Sequence, residues 1–216
     1  MQKRGKLAAA QRPRRGTPEE TRERLIRAAA DQFNELGYRG TDSNSIATAA
    51  GYATGTFYKH FRDKQEIFLV AYERWLETAW KGILEELSGM RASEETARRI
   101  TSLLIQFHTE WRGLRASLME LVFSDADTRA FFRNQRRRQL KMLSELRQRY
   151  GWPAQSTEQD AVFLWMTERV FDAIGQAEVQ SLGLDKEVIV ELMAGKIRDF
   201  LGTANRATMK AAGSSS

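Results

Sequence analysis

The chain has 216 residues, 42% hydrophobic and 29% charged, with a net charge of +6, which fits a folded globular protein of one or two domains and excludes a disordered chain. With no cysteine and two histidines, disulfides, thiolate chemistry and a His/Cys metal cluster are excluded, and neither metal nor other cofactor is expected. No apolar run approaches the roughly 20 residues of a membrane span, and the apolar stretch after Lys6 is too short for a secretory signal, so a cytoplasmic location is expected.

The positive charge is concentrated at the N-terminal end, where residues 1–66 hold 13 Lys+Arg against 8 Asp+Glu. Lys3, Arg4, Lys6, Arg12, Arg14 and Arg15 precede the first acidic residue. Residues 1–16 therefore read as a disordered basic arm, suited to tracking phosphates or serving simply as a solvated tail. Thr17-Pro18-Glu19-Glu20 is a helix start, with Thr17 capping, Pro18 at the first helical position and Glu20 completing a capping box. Leu25, Ala29, Phe33 and Leu36 follow as an apolar stripe, and Gly37 ends the helix.

Asp42 or Ser43 caps a short second helix that buries Ile46 and runs to Gly51, where a sharp turn needs a residue tolerant of positive φ. A third short helix then buries Phe57 and Phe61. Two short helices about such a turn, in Ser45–Phe61, form a helix-turn-helix, the motif that lays its second helix in a DNA groove. On that second helix Thr54, Thr56, Tyr58, Lys59 and His60 are donors suited to phosphate or base edges.

A long fourth helix begins at Arg62-Asp63-Lys64, with Phe68, Tyr72, Trp75/Leu76, Ala79, Ile83 and Leu87 at helical spacing as far as Ser88-Gly89. Ser93 opens a helix bearing Ile100, Leu103/Leu104, Phe107 and Trp111. A short helix over Ala116–Phe123 and a longer one from Asp125 to Gly151-Trp152-Pro153 come next. In the longer one, Arg133, Arg136, Arg137 and Arg138 read as a solvated face. Ser156 starts a helix expected to close at Gly183, and Asp185 caps the last. Residues 204–216 read as a disordered tail. The fold class is all-α with about nine helices, without strand patterns or internal repeats.

Gly37-Tyr38, Gly40-Thr41, Ile46-Ala47, Ala50-Gly51, Gly55-Thr56-Phe57-Tyr58-Lys59-His60-Phe61 and Lys64 carry a resemblance. Over roughly residues 17 to 68 the chain resembles the DNA-binding domain of the TetR family of bacterial regulators. Two positions depart from it: Ala53 stands where Ser or Thr usually caps the recognition helix, and Ser43 where a hydrophobic residue is common. A missing cap costs on the order of 1 kcal/mol unless Thr54 substitutes for it. The resemblance implies that Thr54, Gly55, Thr56, Tyr58 and Lys59 face the major groove and that Thr41, Tyr58, His60 and Lys64 contact phosphates. It implies a three-helix DNA-binding domain at 17–62 joined to a helical ligand-binding and dimerisation bundle at 63–203.

The last two long helices carry more apolar surface than one small bundle needs. A homodimer is the expected outlet, through Trp165, Val170, Ile174, Ala177, Ile189, Leu192, Met193 and Ile197; packing within the monomer is the alternative. A two-fold dimer also reads two half-sites of a pseudo-palindromic operator in double-stranded DNA. The resemblance implies a small-molecule pocket in the aromatic body, drawn from Trp75, Phe107, His108, Trp111, Phe123, Trp165 and Phe171, although by spacing alone most of its aromatics read as core. Few charges fall on its apolar stripes, so a small, mostly apolar or aromatic effector is expected. Enzyme signatures such as HExxH or a phosphate-cradling glycine loop are absent from the sequence. The expected function is a ligand-released transcriptional repressor; the alternative is a helical interaction protein of the same fold that has lost DNA binding.

Overall fold

Thr17 accepts from Glu20 N at 3.2 Å while the Glu20 carboxylate accepts from Thr17 N at 3.1 Å, the capping box that starts helix α1 (Pro18–Leu36). The computed structural model describes residues 16–88 and 93–202. Residues 1–15 of the basic arm and the whole expected tail lie outside them. After α1 come α2 (Ser43–Ala49), α3 (Thr54–His60), α4 (Lys64–Ser88), α5 (Glu94–Glu110) and α6 (Arg112–Ser124). The remaining helices are α7 (Ala126–Tyr150), α8 (Thr157–Gly175), α9 (Glu178–Ser181) and α10 (Lys186–Leu201). Among the described residues every regular element is helical, and no helix is long and apolar enough to cross a membrane.

The described residues divide after Arg74 into two compact units. The first has a small core of Leu25, Ile26, Ala29 and Phe33 from α1, Ile46 and Ala47 from α2, and Phe57, Phe61, Ile67 and Phe68. Phe33 and Phe68 meet edge to face at 5.0 Å, and Tyr38 closes the cluster at 5.2 Å from Phe68.

In the second unit α5 packs against both α8 and α10, and α6 pairs with α7. Its core combines Ile83 and Leu87 of α4, Ile100 of α5, Leu143 and Leu146 of α7, Leu164, Phe171 and Ile174 of α8, and Met193, Ile197 and Phe200 of α10. Two helix limits differ from expectation. α6 begins at Arg112, with Trp111 alone as the joint after α5. α8 stops at Gly175 because Ala177 takes the left-handed conformation, φ 58°, and the single turn α9 follows. That turn accounts for ten helices among the described residues where about nine were expected.

Three sites of buried charge, none read from the sequence, join the helices of this unit. Arg115 and His108 converge on Asp172, Arg136 pairs with Glu168 at 2.6 Å, and Arg147 pairs with Asp160. Arg147 also donates to Pro153 O at 2.5 Å and Gln155 Oε1 at 3.3 Å, tying down the α7–α8 connection. Arg136 therefore does not belong to a solvated arginine face; its side chain is buried while Arg133, Arg137 and Arg138 are exposed.

The expected dimer surface is likewise corrected. Ile174, Met193 and Ile197 are spent inside this unit's own core, and Val170 and Ile189 are half-buried against it. The large apolar side chains left outside are Val162 and Trp165 (58% exposed) on α8 and Val188 and Leu192 on α10. The helices turn one face inward and leave a second apolar strip, and sequence spacing did not separate the two.

Candidate functional site

Gly51, at φ 82°, makes the turn between α2 and α3, and Tyr52 N donates back to Ala47 O at 2.8 Å. Phe57 on the inner face of α3 and Phe61 just beyond it are buried, 5.8 Å apart between ring centroids. The opposite face of α3 presents Gly55, Tyr58 (58% exposed) and Lys59. A Cβ on Gly55 would meet nothing within 4 Å, so the backbone there is open to close approach. Thr54, Thr56 and His60 are half-buried at the margins of this face. Ala53 makes no side-chain cap, and Thr54 does not replace it, since its hydroxyl donates to Asn44 Oδ1 at 2.7 Å.

Two residues expected to contact phosphate have their side chains turned inward. Thr41 is 2% exposed and its hydroxyl lies 2.9 Å from Gly37 O and 3.2 Å from Gln32 O. The Lys64 ammonium donates to Tyr38 O at 2.8 Å and Thr41 O at 2.9 Å, and sits 4.1 Å from the Tyr38 ring centroid. Burial pulls the Lys64 pKa down, with partial restoration by Asp42. These side chains tie the α1–α2 loop together through the carbonyls of Gly37, Tyr38 and Thr41. Of the eight residues expected at DNA, Gly55, Tyr58 and Lys59 form the open face, with Thr54, Thr56 and His60 beside it.

The second feature is an internal cavity of about 100 Å³ in the helical unit. Its walls come from α4 (Trp75 to Leu87), α5 (Ile100 to His108), α7 (Gln139 to Leu146), α8 (Phe163 to Glu168) and α10 (Ile197 to Leu201), with Arg115 and Trp152. Of the expected pocket residues, Trp75, Phe107 and His108 line it. Phe123 is 83% exposed and Trp165 faces outward, while Trp111 and Phe171 stand off the cavity wall, Phe171 as part of the core. An aromatic at helical spacing is as readily core or rim as pocket, and spacing alone does not distinguish them.

At one end of this cavity His108 Nδ1 lies 2.7 Å from Asp172 Oδ1, and Arg115 clamps the same carboxylate through Nε at 2.7 Å and Nη2 at 2.8 Å. Burial raises the Asp172 pKa, but the hydrogen bonds from His108 and Arg115 outweigh it and hold the carboxyl at about 2. Burial lowers the His108 pKa, assisted by the charge of Arg115 and opposed by Asp172. Asp172 is therefore an ionised acceptor, and the neutral imidazole donates to it from Nδ1, leaving Nε2 as a lone pair. Arg115, Gln139, Thr167 and Glu168 also line the cavity and were not singled out from sequence. A signal was present for two of them: Thr167 and Glu168 interrupt the stripe from Leu164 to Phe171.

The exposed face of α3, set on a glycine turn in a three-helix unit, defines a helix-turn-helix DNA-binding domain. Residues 25–71 match the sequence model of the family described as "Bacterial regulatory proteins, tetR family". The DNA-binding unit is therefore a TetR-family domain. HbdR, an HTH-type transcriptional regulator of Aromatoleum sp. (strain CIB), is 35% identical over 72 residues, covering 33% of this chain and 31% of the relative. The alignment thus spans about a third of that curated relative's length. Among solved structures, a Rhodococcus sp. protein assigned to the TetR family superposes with a TM-score of 0.70 at 18% identity, covering 85% of this chain and 100% of its own. AibR, solved with isovaleryl coenzyme A and operator DNA, superposes at 0.56 and 18% identity over 82% of this chain and 97% of its own. These likenesses extend the shared fold over the helical unit as well.

Proposed function

We propose that the protein is a homodimeric transcriptional repressor that binds a pseudo-palindromic operator through α3 and is released when a small effector enters the internal cavity. Residues 17–62 act as the DNA-binding domain and residues 63–203 as the effector and dimerisation domain. The observation carrying the reading is the outward face of α3, where Gly55, Tyr58 and Lys59 are exposed while Phe57 is buried beneath them. A surface that presents a phenol hydroxyl, an open glycine backbone and a cation suits a groove lined by phosphates and base edges. The positive excess in residues 1–66 lies in the same part of the chain.

Dimerisation is assigned to α8 and α10 through Val162, Trp165, Val188 and Leu192, large apolar groups otherwise left in water. The effector acts by population shift: it favours the DNA-incompetent state by a few kcal/mol, enough to empty the operator. That AibR was solved with both an acyl-CoA and operator DNA is consistent with such a division of labour in this fold.

The test is binding of the purified protein to its own upstream intergenic DNA, against a scrambled duplex of equal length and across salt concentrations. Sequence-selective binding that weakens steeply with salt, by a dimer in light scattering, is the expected result. Equal weak affinity for both duplexes would remove that DNA as the operator, and a monomeric mass at micromolar concentration would remove the dimer.

A further inference from the structure

The cavity is amphiphilic along its length. On its polar side, the Trp75 ring lies 6.3 Å from His108 and 5.8 Å from the Arg115 guanidinium. Arg115 reaches Asp172, one turn beyond Glu168 on α8. Glu168 in turn accepts from Arg136, which precedes Gln139 by three residues on α7. His108 and Arg115 thereby stand at the Trp75 end, with Glu168 one turn from Asp172 on α8 and Gln139 about one turn from Arg136 on α7. The opposite end is built from Leu87, Leu146, Trp152 and Leu201. Along α4 the wall residues run from Trp75 to Leu87, about 18 Å at the helical rise.

At the polar end the charges are already matched. Arg115 is closed by Asp172 in two hydrogen bonds, Glu168 Oε2 is held by Arg136, and Thr167 donates to Phe163 O at 2.6 Å. Arg136 itself is not on the cavity wall. The wall offers the second oxygen of Glu168, the Nε2 lone pair of neutral His108, the carboxamide of Gln139 and the buried indole N–H of Trp75. Gln139 is only 7% exposed and lines the cavity. A buried amide in that position calls for a hydrogen-bonding partner.

We infer that the cavity accepts an uncharged, elongated, mostly hydrocarbon molecule whose single polar head donates a hydrogen bond, as an alcohol does, to Glu168 or His108 while accepting from Gln139. The inference rests on the cavity being the effector site. A carboxylate head would face two acceptors with no unmatched cation on the wall. An ammonium head would stand beside Arg115 and meet a Glu168 charge already offset by Arg136. An ester head lacks the donor that Glu168 and His108 require.

The test uses the full-length protein and its tryptophan emission, since Trp75, Trp80 and Trp152 line the cavity. Decan-1-ol, decanoate, decylamine and methyl decanoate are titrated below their aggregation limits. Decan-1-ol is expected to bind saturably and about tenfold or more tighter than the other three, and Gln139→Leu to weaken decan-1-ol by about tenfold. Circular dichroism of the variant checks that it folds, and Gln139→Asn provides a second, polar variant expected to bind less well than the parent but better than Gln139→Leu. Decanoate binding as tightly as the alcohol, or an unchanged alcohol affinity in folded Gln139→Leu, overturns the head-group assignment and leaves the cavity as the effector site. Absence of saturable binding by all four removes the effector site itself and the inference with it.

Discussion

Gly175 of α8 lies directly against the backbone of His108 in α5: a Cβ at position 175 would fall 2.5 Å from the His108 carbonyl oxygen and 2.9 Å from its carbon. This close crossing sets the separation of the two helices that carry His108 and Asp172. The polar end of the cavity therefore depends on a residue with no side chain.

Gly175→Ala tests that dependence. In an open helix the change would stabilise by up to about 1 kcal/mol through helix propensity. Here the obstacle is backbone, which cannot swing aside, so overpacking wins, and a net loss of about 1–3 kcal/mol is expected in urea unfolding. A stabilised variant would contradict the close crossing.

The His108 site makes stability pH-dependent, and the sign follows from the direction of each shift. Burial holds the folded His108 pKa below 6.5, so the unfolded chain takes up the proton first. The stabilisation is complete above that value and is lost as pH falls below it. Asp172, lowered from 3.8 to about 2, contributes above 3.8 and loses its contribution between those two values. The melting temperature should therefore decline from about pH 7.5 to about pH 5, and His108→Gln should flatten that decline. An equal decline in the variant would place the titrating group elsewhere.

Ala177 occupies the left-handed region at φ 58°, where a Cβ costs roughly 1 kcal/mol. Ala177→Gly should stabilise by about 0.5–1 kcal/mol, the relieved strain exceeding the added freedom of the unfolded chain. Chemical denaturation of the two proteins decides it.

Ala53 leaves the recognition helix without a side-chain cap. Ala53→Ser should add on the order of 1 kcal/mol to the stability of the first unit. Hydrogen exchange at α3 would register the gain as slower opening; unchanged protection would mean that the helix start is limited by something other than its cap.

Side chains near α3 should separate into two classes. Tyr58→Ala and Lys59→Ala should weaken operator binding by about 1–3 kcal/mol with the fold intact. Lys64→Met should instead lower stability by about 1–3 kcal/mol, because Tyr38 O and Thr41 O lose their donor. Operator affinity and melting temperature, measured on all three, distinguish the classes. Loss of affinity in Lys64→Met without loss of stability would restore its expected place at a phosphate.

Sequence alone determined the elements whose signals are local. Thr17 and Glu20, Ser156 and Gln159, the turn at Gly51 and the stop at Gly151 each act within a few residues, and each appears where its chemistry required. The helix-turn-helix was legible for the same reason: its spacing packs Ile46 and Phe57 across one tight turn. Tertiary structure alone decided which apolar stripe faces inward. Ile197 and Leu192 have the same hydrophobic character and stand on one helix, yet one is core and the other lies in water. It also decided the partners of charge. Arg115 meets Asp172 across 57 residues and Arg136 meets Glu168 across 32, distances at which residue spacing carries no information. The inward turn of Thr41 and Lys64, and the collection of Gln139, Glu168 and His108 on the wall of one cavity, depend on how helices pack, and helix packing is the sum of contacts that no local pattern records.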